Sequence, residues 1–159
     1  MKKVLGFTLI LFISLTLYGC GCSKKKEKEI ITTCSSKSIQ KASGYEIETT
    51  HKIYSKENIV NKVESKTTVT SKKEKVLKNF EKDYKKQYEN NKNLYGGYDY
   101  NIKIDGETLV SNLTIDYSKY DMNKFVKDNV AMEEYVNKEK QFTLEGAKKY
   151  YNTIGATCK

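Results

Sequence analysis

Two alternating runs joined at Asp105-Gly106 constrain the fold most. Residues 98–104 and 109–117 each carry an apolar or aromatic side chain at nearly every second position. Alternation with a period of two is typical of strands with one buried face. Asp-Gly is favoured in two-residue hairpin turns. The pattern therefore predicts an antiparallel hairpin in which Tyr98 and Tyr100 share one face.

A second hairpin is predicted earlier in the chain. Residues 45–54 alternate, with Tyr45, Ile47, His51 and Ile53 on one parity, and residues 59–70 follow after a turn at 55–58. Runs of this kind, bounded by turn residues, read as paired strands.

A helix is predicted between the two hairpins. Ser71 and Glu74 have the spacing of a capping box, and helical periodicity continues to about Asn90. The apolar stripe of this helix is Leu77, Phe80, Tyr84 and Tyr88. Gly96-Gly97 is expected to end it.

Two shorter helices are predicted after the second hairpin. Asp121 is placed to cap a short helix that carries Phe125 and Val126. Thr143 is placed to cap a last helix, with Gly155 as its left-handed stop. The inward residues of the last helix are expected to be Leu144, Ala147, Tyr151 and Ile154.

The resulting order, β-β-α-β-β-α, predicts the fold class. We expect an α+β two-layer sandwich, with a four-stranded antiparallel sheet and helices packed on one face.

The N-terminus predicts export and a lipid anchor. Lys2 and Lys3 precede an uncharged run of 15 residues, 4–18, which suits a signal peptide and is too short to span a bilayer. The run ends in Leu17-Tyr18-Gly19-Cys20, which resembles the bacterial lipobox. The alternative is an ordinary secretory signal followed by a chance cysteine.

These features divide the chain into three parts. We expect a signal peptide at 1–19, a lipidated, flexible, lysine-rich tether at 20–33 and a single α+β domain at 34–159. Two acyl chains on Cys20 would hold the domain on the extracytoplasmic face of the cell membrane. The membrane is thus one expected partner.

The positive charge is a weak indication of function. The formal net charge is +9, or +7 without Lys2 and Lys3, yet the chain contains no arginine, the residue best suited to phosphate forks. Acidic residues are interspersed with the lysines. We therefore expect a solvated lysine surface and no nucleic-acid partner.

Three cysteines remain after Cys20. Cys34 and Cys158 stand near the two ends of the predicted domain and could form a disulfide, which leaves Cys22 unpaired. The alternatives are that both thiols stay reduced, or that three thiols bind a metal. The chain lacks the paired spacing typical of zinc sites, so no metal site is expected.

Taken together, these features resemble the YehR-like lipoproteins of bacterial envelopes. The resemblance includes the lipobox, the tether, the element order and two segments, Ile115-Asp116-Tyr117-Ser118-Lys119 and Glu145-Gly146-Ala147-Lys148 followed by Ile154-Gly155-Ala156. It implies an α/β two-layer fold and lipid anchoring. It implies no catalytic residue.

The chain offers few catalytic candidates. His51 is the only histidine, and an enzyme would need a cleft that gathers it with an acid or a serine. Asp116 and Asp121 could bind a cation, although helix capping explains Asp121 more simply. We expect no catalytic residue, no cofactor and no enzymatic activity.

Tyrosine is the most unusual component, with 13 residues. Tyr98, Tyr100 and Tyr117 could form a ligand surface, because phenol rings stack on ligands and donate hydrogen bonds. The alternative is that tyrosine replaces scarce phenylalanine and tryptophan in the core. We expect a monomeric, non-enzymatic binding module for a small ligand or an envelope protein. A structural or accessory subunit is the alternative, and a hydrolytic enzyme comes after it.

Overall fold

Six strands form one antiparallel sheet. The computed structural model describes residues 28–159. The strands are β1 (Ile30–Gln40), β2 (Tyr45–Lys56), β3 (Ile59–Thr70), β4 (Gly96–Asp105), β5 (Thr108–Tyr120) and β6 (Thr157–Cys158). Their order across the sheet is β4-β5-β3-β2-β1-β6. Both predicted hairpins, β2–β3 and β4–β5, are present.

Helices connect the later strands. They are α1 (Glu74–Tyr95), α2 (Met122–Asp128) and α3 (Leu144–Thr153), with a 3₁₀ helix (Val130–Tyr135) between α2 and α3. Among the described residues, no helix is both long and apolar enough to cross a membrane.

The helices pack on one face of the sheet. One cluster joins Cys34, Ile53 and Val63 of the sheet to α2, the 3₁₀ helix and α3. A second cluster joins Val69 and Leu109 to Leu77 of α1. The opposite face of the sheet carries charged pairs such as Lys37–Glu48, 2.7 Å apart. Burial of one face explains why alternation in the sequence predicted these strands.

The sheet has six strands, so the prediction of four was wrong. The missed β1 pairs with β2 along its whole length and begins at Ile30, inside the segment 20–33 predicted to be a tether. It escaped detection because its inward positions include Ser36 and Ser38, which give no apolar alternation. The missed β6 has only two residues. The predicted signal peptide 1–19, Cys20 and Cys22 lie outside the described residues.

The two hairpin turns differ from the prediction in detail. The β2–β3 turn is Glu57-Asn58, with φ of 47° and 66° at these residues. Positive φ at both central positions is the type I′ pattern, which matches the twist of the strands. In the second hairpin Asp105 pairs with Thr108, so the turn is Gly106-Glu107 and lies one residue later than predicted.

The predicted capping box of α1 does not form. The Ser71 hydroxyl accepts from the Lys73 amide at 3.1 Å and donates to the Gly44 carbonyl at 2.8 Å. Glu74 instead pairs with Lys78 at 2.7 Å. The hydroxyl therefore ties the start of α1 to the β1–β2 loop. The helix continues to Tyr95 and ends at Gly96, whose φ is 72°.

The predicted caps of the other two helices are confirmed. The Asp121 carboxylate accepts from the Lys124 amide, and the Thr143 hydroxyl accepts from the Gly146 amide, both at 2.9 Å. Gly155 adopts a φ of 87° after α3, as expected for a left-handed stop. Ile154 was expected to be buried but is 54% exposed.

A disulfide between Cys34 and Cys158 closes the edge of the sheet. The two cysteines face each other across β1 and β6, and Cys34 is fully buried. Backbone hydrogen bonds join Thr33 and Lys159 beside the bridge, at 3.1 and 2.8 Å. The predicted pairing is thus present.

We expect loss of this disulfide to destabilise the domain strongly. The bridge joins residues 124 positions apart, and the loop-closure model assigns such a bridge up to roughly 4–5 kcal/mol. Urea unfolding of the Cys34→Ala, Cys158→Ala protein, followed by circular dichroism, should show a midpoint well below that of the oxidised wild type.

The matched control is Cys22→Ser, which should unfold at the wild-type midpoint in the oxidised state. Adding a phosphine reductant to the wild type should reproduce most of the loss, since it removes the bridge without removing the side chains. Equal midpoints for reduced and oxidised protein would contradict the prediction.

Candidate functional site

A cavity of about 360 Å³ opens at one end of the sheet. It is lined by residues 59–61 of β3, residues 117, 118 and 120–123 around the β5–α2 junction, and residues 139–142. Its walls therefore come from three segments that are distant in sequence.

A tight loop before α3 forms one wall. Val136 and Phe142 form an isolated bridge, and the Val60 amide donates to the Phe142 carbonyl at 2.9 Å. The Leu144 amide donates to the carbonyl of Asn58 at 2.8 Å. These bonds pin residues 136–144 to the β2–β3 turn.

Gly146 permits the close packing of this wall. A Cβ at residue 146 would lie 1.9 Å from the Tyr135 carbonyl oxygen, so any larger residue would displace backbone. This gives a physical reason for glycine in the Glu145-Gly146-Ala147 segment.

Aromatic rings form the inner wall of the cavity. The Tyr117 ring lies 5.4 Å from the Tyr120 ring and 5.7 Å from the Phe142 ring, measured between centroids. Burial raises the pKa of both phenols far above its ordinary value, so both stay neutral at physiological pH. The wall therefore presents neutral π systems.

Polar groups stand around these rings. Asp121, whose carboxylate caps α2, is one of the lining residues. Glu139 and Lys140 also line the cavity. The Lys140 ammonium pairs with Glu133 at 2.9 Å. The Asn61 amide group donates to the Glu29 carboxylate at 3.2 Å, while its own oxygen is buried without a hydrogen-bond partner among the described residues.

The three tyrosines predicted as a ligand surface lie in different surroundings. Tyr98 accepts from Asn91 at 3.4 Å, and its ring packs on Tyr120. Tyr100 donates to Glu89 at 3.0 Å and packs on Tyr88. Of the three, Tyr117 lines the cavity. Their role as a ligand surface stays a prediction.

The two aspartates considered as a cation site have separate local partners. Asp116 accepts from the Ser118 hydroxyl at 2.6 Å and from its amide at 3.0 Å, which lowers the pKa of the carboxyl. Asp121 caps α2. Within residues 28–159, no group of three or more His, Cys, Asp or Glu side chains is arranged to hold a metal ion.

The structure brings His51 to a serine. His51 Nδ1 lies 2.7 Å from the Ser65 hydroxyl on the neighbouring strand, and the imidazole ring packs on Tyr151 at 4.3 Å. Burial lowers the pKa of His51 from 6.5 to about 4, which makes it a weak base at neutral pH. His51 does not line the cavity.

Sequence reasoning missed most of the cavity. Phe142 follows a stretch, 129–141, without readable periodicity. Asn61 has no partner on β2, because Tyr54 pairs with Lys62 and Ser55 with Val60. A bulge of this kind breaks the alternation along the strand from which the position of Asn61 could have been predicted. The usable indications were the Asp121 capping signal and Tyr117 of the predicted ligand surface, both of which line the cavity.

Comparisons with known proteins agree on the fold. The NMR structure of Escherichia coli YehR is 19% identical, with a TM-score of 0.51 over 84% of this chain and 92% of that one. An NMR structure of a protein from Streptococcus pneumoniae TIGR4 is 14% identical, with a TM-score of 0.51 over 100% of this chain and 96% of that one. No family model and no curated protein matches the sequence.

At these identities the likeness establishes the fold alone. The chain has a YehR-like fold: an α+β protein with an open antiparallel sheet. Membership of a lipoprotein family stays a prediction.

We expect His51 to make stability depend on pH. The unfolded chain takes up the proton near pH 6.5 and the folded chain near pH 4, so the unfolded state binds more protons between these values. Stability should therefore fall as the pH falls through this window. The loss between pH 6.5 and 4.5 should be about 2 kcal/mol.

The measurement is urea unfolding at several pH values, with His51→Gln as the comparison. Glutamine can keep the bond to Ser65 but does not titrate, so its profile should be flatter above pH 4.5. Carboxyl groups with a lowered pKa, such as that of Glu64, change the stability at lower pH, and they do so in both proteins. Parallel profiles in the upper window would contradict the assignment.

Proposed function

We propose that this chain is a lipoprotein, anchored through Cys20 on the extracytoplasmic face of the cell membrane, whose domain is a non-enzymatic binding module. The lipobox Leu17-Tyr18-Gly19-Cys20 supports the anchor. The cavity beside Tyr117 supports the binding role.

The cavity carries the proposal because its lining suits binding better than catalysis. A cleft with apolar walls and a few polar groups is typical of small-molecule sites. The lining residues include three aromatic residues, two acidic residues and three amides, but no histidine or cysteine. Ser118 is the one serine among them, and its hydroxyl donates a hydrogen bond to Asp116.

The position of the cavity is compatible with an anchored domain. The chain enters the sheet at Ile30, beside the β2–β3 turn, and Glu29 contacts Asn61 of the cavity wall. Cys20 lies nine positions before Glu29, and an extended chain of that length spans at most about 30 Å. An anchored domain would thus hold the cavity near the membrane surface.

The His51–Ser65 pair is the observation that favours an enzyme. A serine nucleophile needs a base with a pKa near neutrality and a third group that orients the base. Burial lowers the pKa of His51 to about 4, and an aromatic ring, Tyr151, packs on the imidazole. A polar cross-strand pair explains this geometry with fewer requirements.

The anchor is tested by replacing Cys20 with serine. The wild type should fractionate with membranes and carry the mass of a diacylglyceryl group, whereas Cys20→Ser should lose that mass and no longer be held by acyl chains. Cys22→Ser is the control and should behave like the wild type. An unlipidated wild type would refute the anchor.

The binding role is tested by native mass spectrometry of the full chain extracted from its own membranes. A reproducible small mass that is lost on denaturation supports a ligand-binding module. A stoichiometric protein partner instead supports the accessory-subunit alternative. Turnover of ester or amide substrates that is abolished by Ser65→Ala would refute the non-enzymatic assignment.

A further inference from the structure

We propose that the outward face of α1 binds a flexible, linear polyanion made of polyol phosphate repeats. This face lies on a different part of the molecule from the cavity, so the inference goes beyond the proposed function. Three features support it: a row of lysines, carboxylates that are already engaged, and a row free of apolar and aromatic side chains.

Lysines occupy four successive turns of α1 on the side away from the sheet. This lysine row consists of Lys75, Lys78, Lys82, Lys85 and Lys86, and all five are exposed. Neighbouring turns of a helix lie about 5.4 Å apart, which is comparable to the length of one glycerol phosphate repeat. A shallow depression of about 570 Å³ lies among these side chains, and four of the lysines line it. The row can therefore follow an extended polymer over several repeats.

The carboxylates beside the lysine row already have partners. Glu74 pairs with Lys78 at 2.7 Å, and Glu81 pairs with Lys85 at 2.8 Å. Glu89 accepts from a tyrosine hydroxyl of β4 at 3.0 Å. The other three lysines of the row make no ion pair within residues 28–159, so their ammonium groups are available to an anion.

The open face of the sheet carries lysines too, but there they are interleaved with carboxylates. Lys52 is the cross-strand partner of Glu64, and Lys37 pairs with Glu48. Residues 72–95, by contrast, contain eight lysines and four acidic residues, which gives a net charge of +4. An anionic polymer is therefore attracted more strongly to α1 than to the sheet.

The side chains of this face favour one kind of polyanion. The rings of Phe80, Tyr84 and Tyr88 pack toward the sheet, so the lysine row offers no ring on which a nucleobase could stack. The row also lacks the apolar anchors that hold protein interfaces and membrane-surface helices. Asn90 and Asn93 add amide groups to the depression, and these suit hydroxyl and phosphate oxygens. A polyol phosphate chain needs neither a ring nor an apolar pocket.

The test is fluorescence anisotropy of end-labelled poly(glycerol phosphate), titrated with the full chain in an uncharged detergent. Three unpaired lysines should give a slope of about −2 for the logarithm of the association constant against that of the salt concentration. Oligo(dT) of equal charge should bind no more tightly. Tenfold tighter binding of oligo(dT) would overturn the proposal in favour of a nucleic acid.

Two triple variants separate the lysine row from the net charge. Lys75→Gln, Lys82→Gln, Lys86→Gln should weaken binding at least tenfold and flatten the salt dependence, while glutamine, a similar helix former, keeps α1. The matched control removes the same charge from the open face of the sheet. Lys52→Gln, Lys66→Gln, Lys103→Gln should bind within twofold of the wild type. Equal losses in both variants would refute the assignment, as would a wild type that does not bind.

A membrane is the other anionic surface that the lysine row could meet. In bicelles that contain anionic, spin-labelled lipid, the amide signals of residues 75–86 should stay unbroadened. Broadening confined to these signals would assign the row to lipid headgroups and overturn the proposal. Each of these outcomes leaves the anchor and the cavity to be judged by their own experiments.

Discussion

Burial of one face of the sheet is the constraint on which the rest of the structure depends. Core side chains such as Ile53, Val63 and Leu109 share that face, and the helices within residues 28–159 pack on it. The other face is open and carries mainly lysine, glutamate and threonine. The cavity lies at the end of the sheet, where residues 139–142 and the start of α2 close the covered face.

The covered face is not uniformly apolar, and several of its hydroxyls are paired. Thr49 and Thr67 bond across β2 and β3 at 3.2 Å, and Ser111 bonds the Tyr88 phenol at 3.2 Å. These pairs lie between the two apolar clusters. Because each hydroxyl has a partner, burial costs little. Tyrosine suits this mixture of apolar and polar positions. Its ring packs in the core while its hydroxyl bonds a polar neighbour between the two clusters.

The parts of the fold that could be predicted are those with a strong local signal. The strands β2 to β5 alternate clearly, and the caps Asp121 and Thr143 act within one helical turn. β1 could not be predicted, because its inward serines give no pattern and its stability comes from pairing with β2 and from the disulfide. The Ser71 hydroxyl was misassigned because a tertiary partner, the Gly44 carbonyl, competes for it. The cavity depended on contacts between distant segments, which one sequence does not reveal.

The exposed ion pairs contribute little to the stability of this architecture. Pairs such as Glu74–Lys78 and Glu134–Lys149 lie on the surface, where water and salt screen them. The domain is instead held by apolar burial, the hydrogen-bonded sheet and one disulfide. Asp121 contributes to both the fold and the cavity, since its carboxylate caps α2 and the residue is part of the lining.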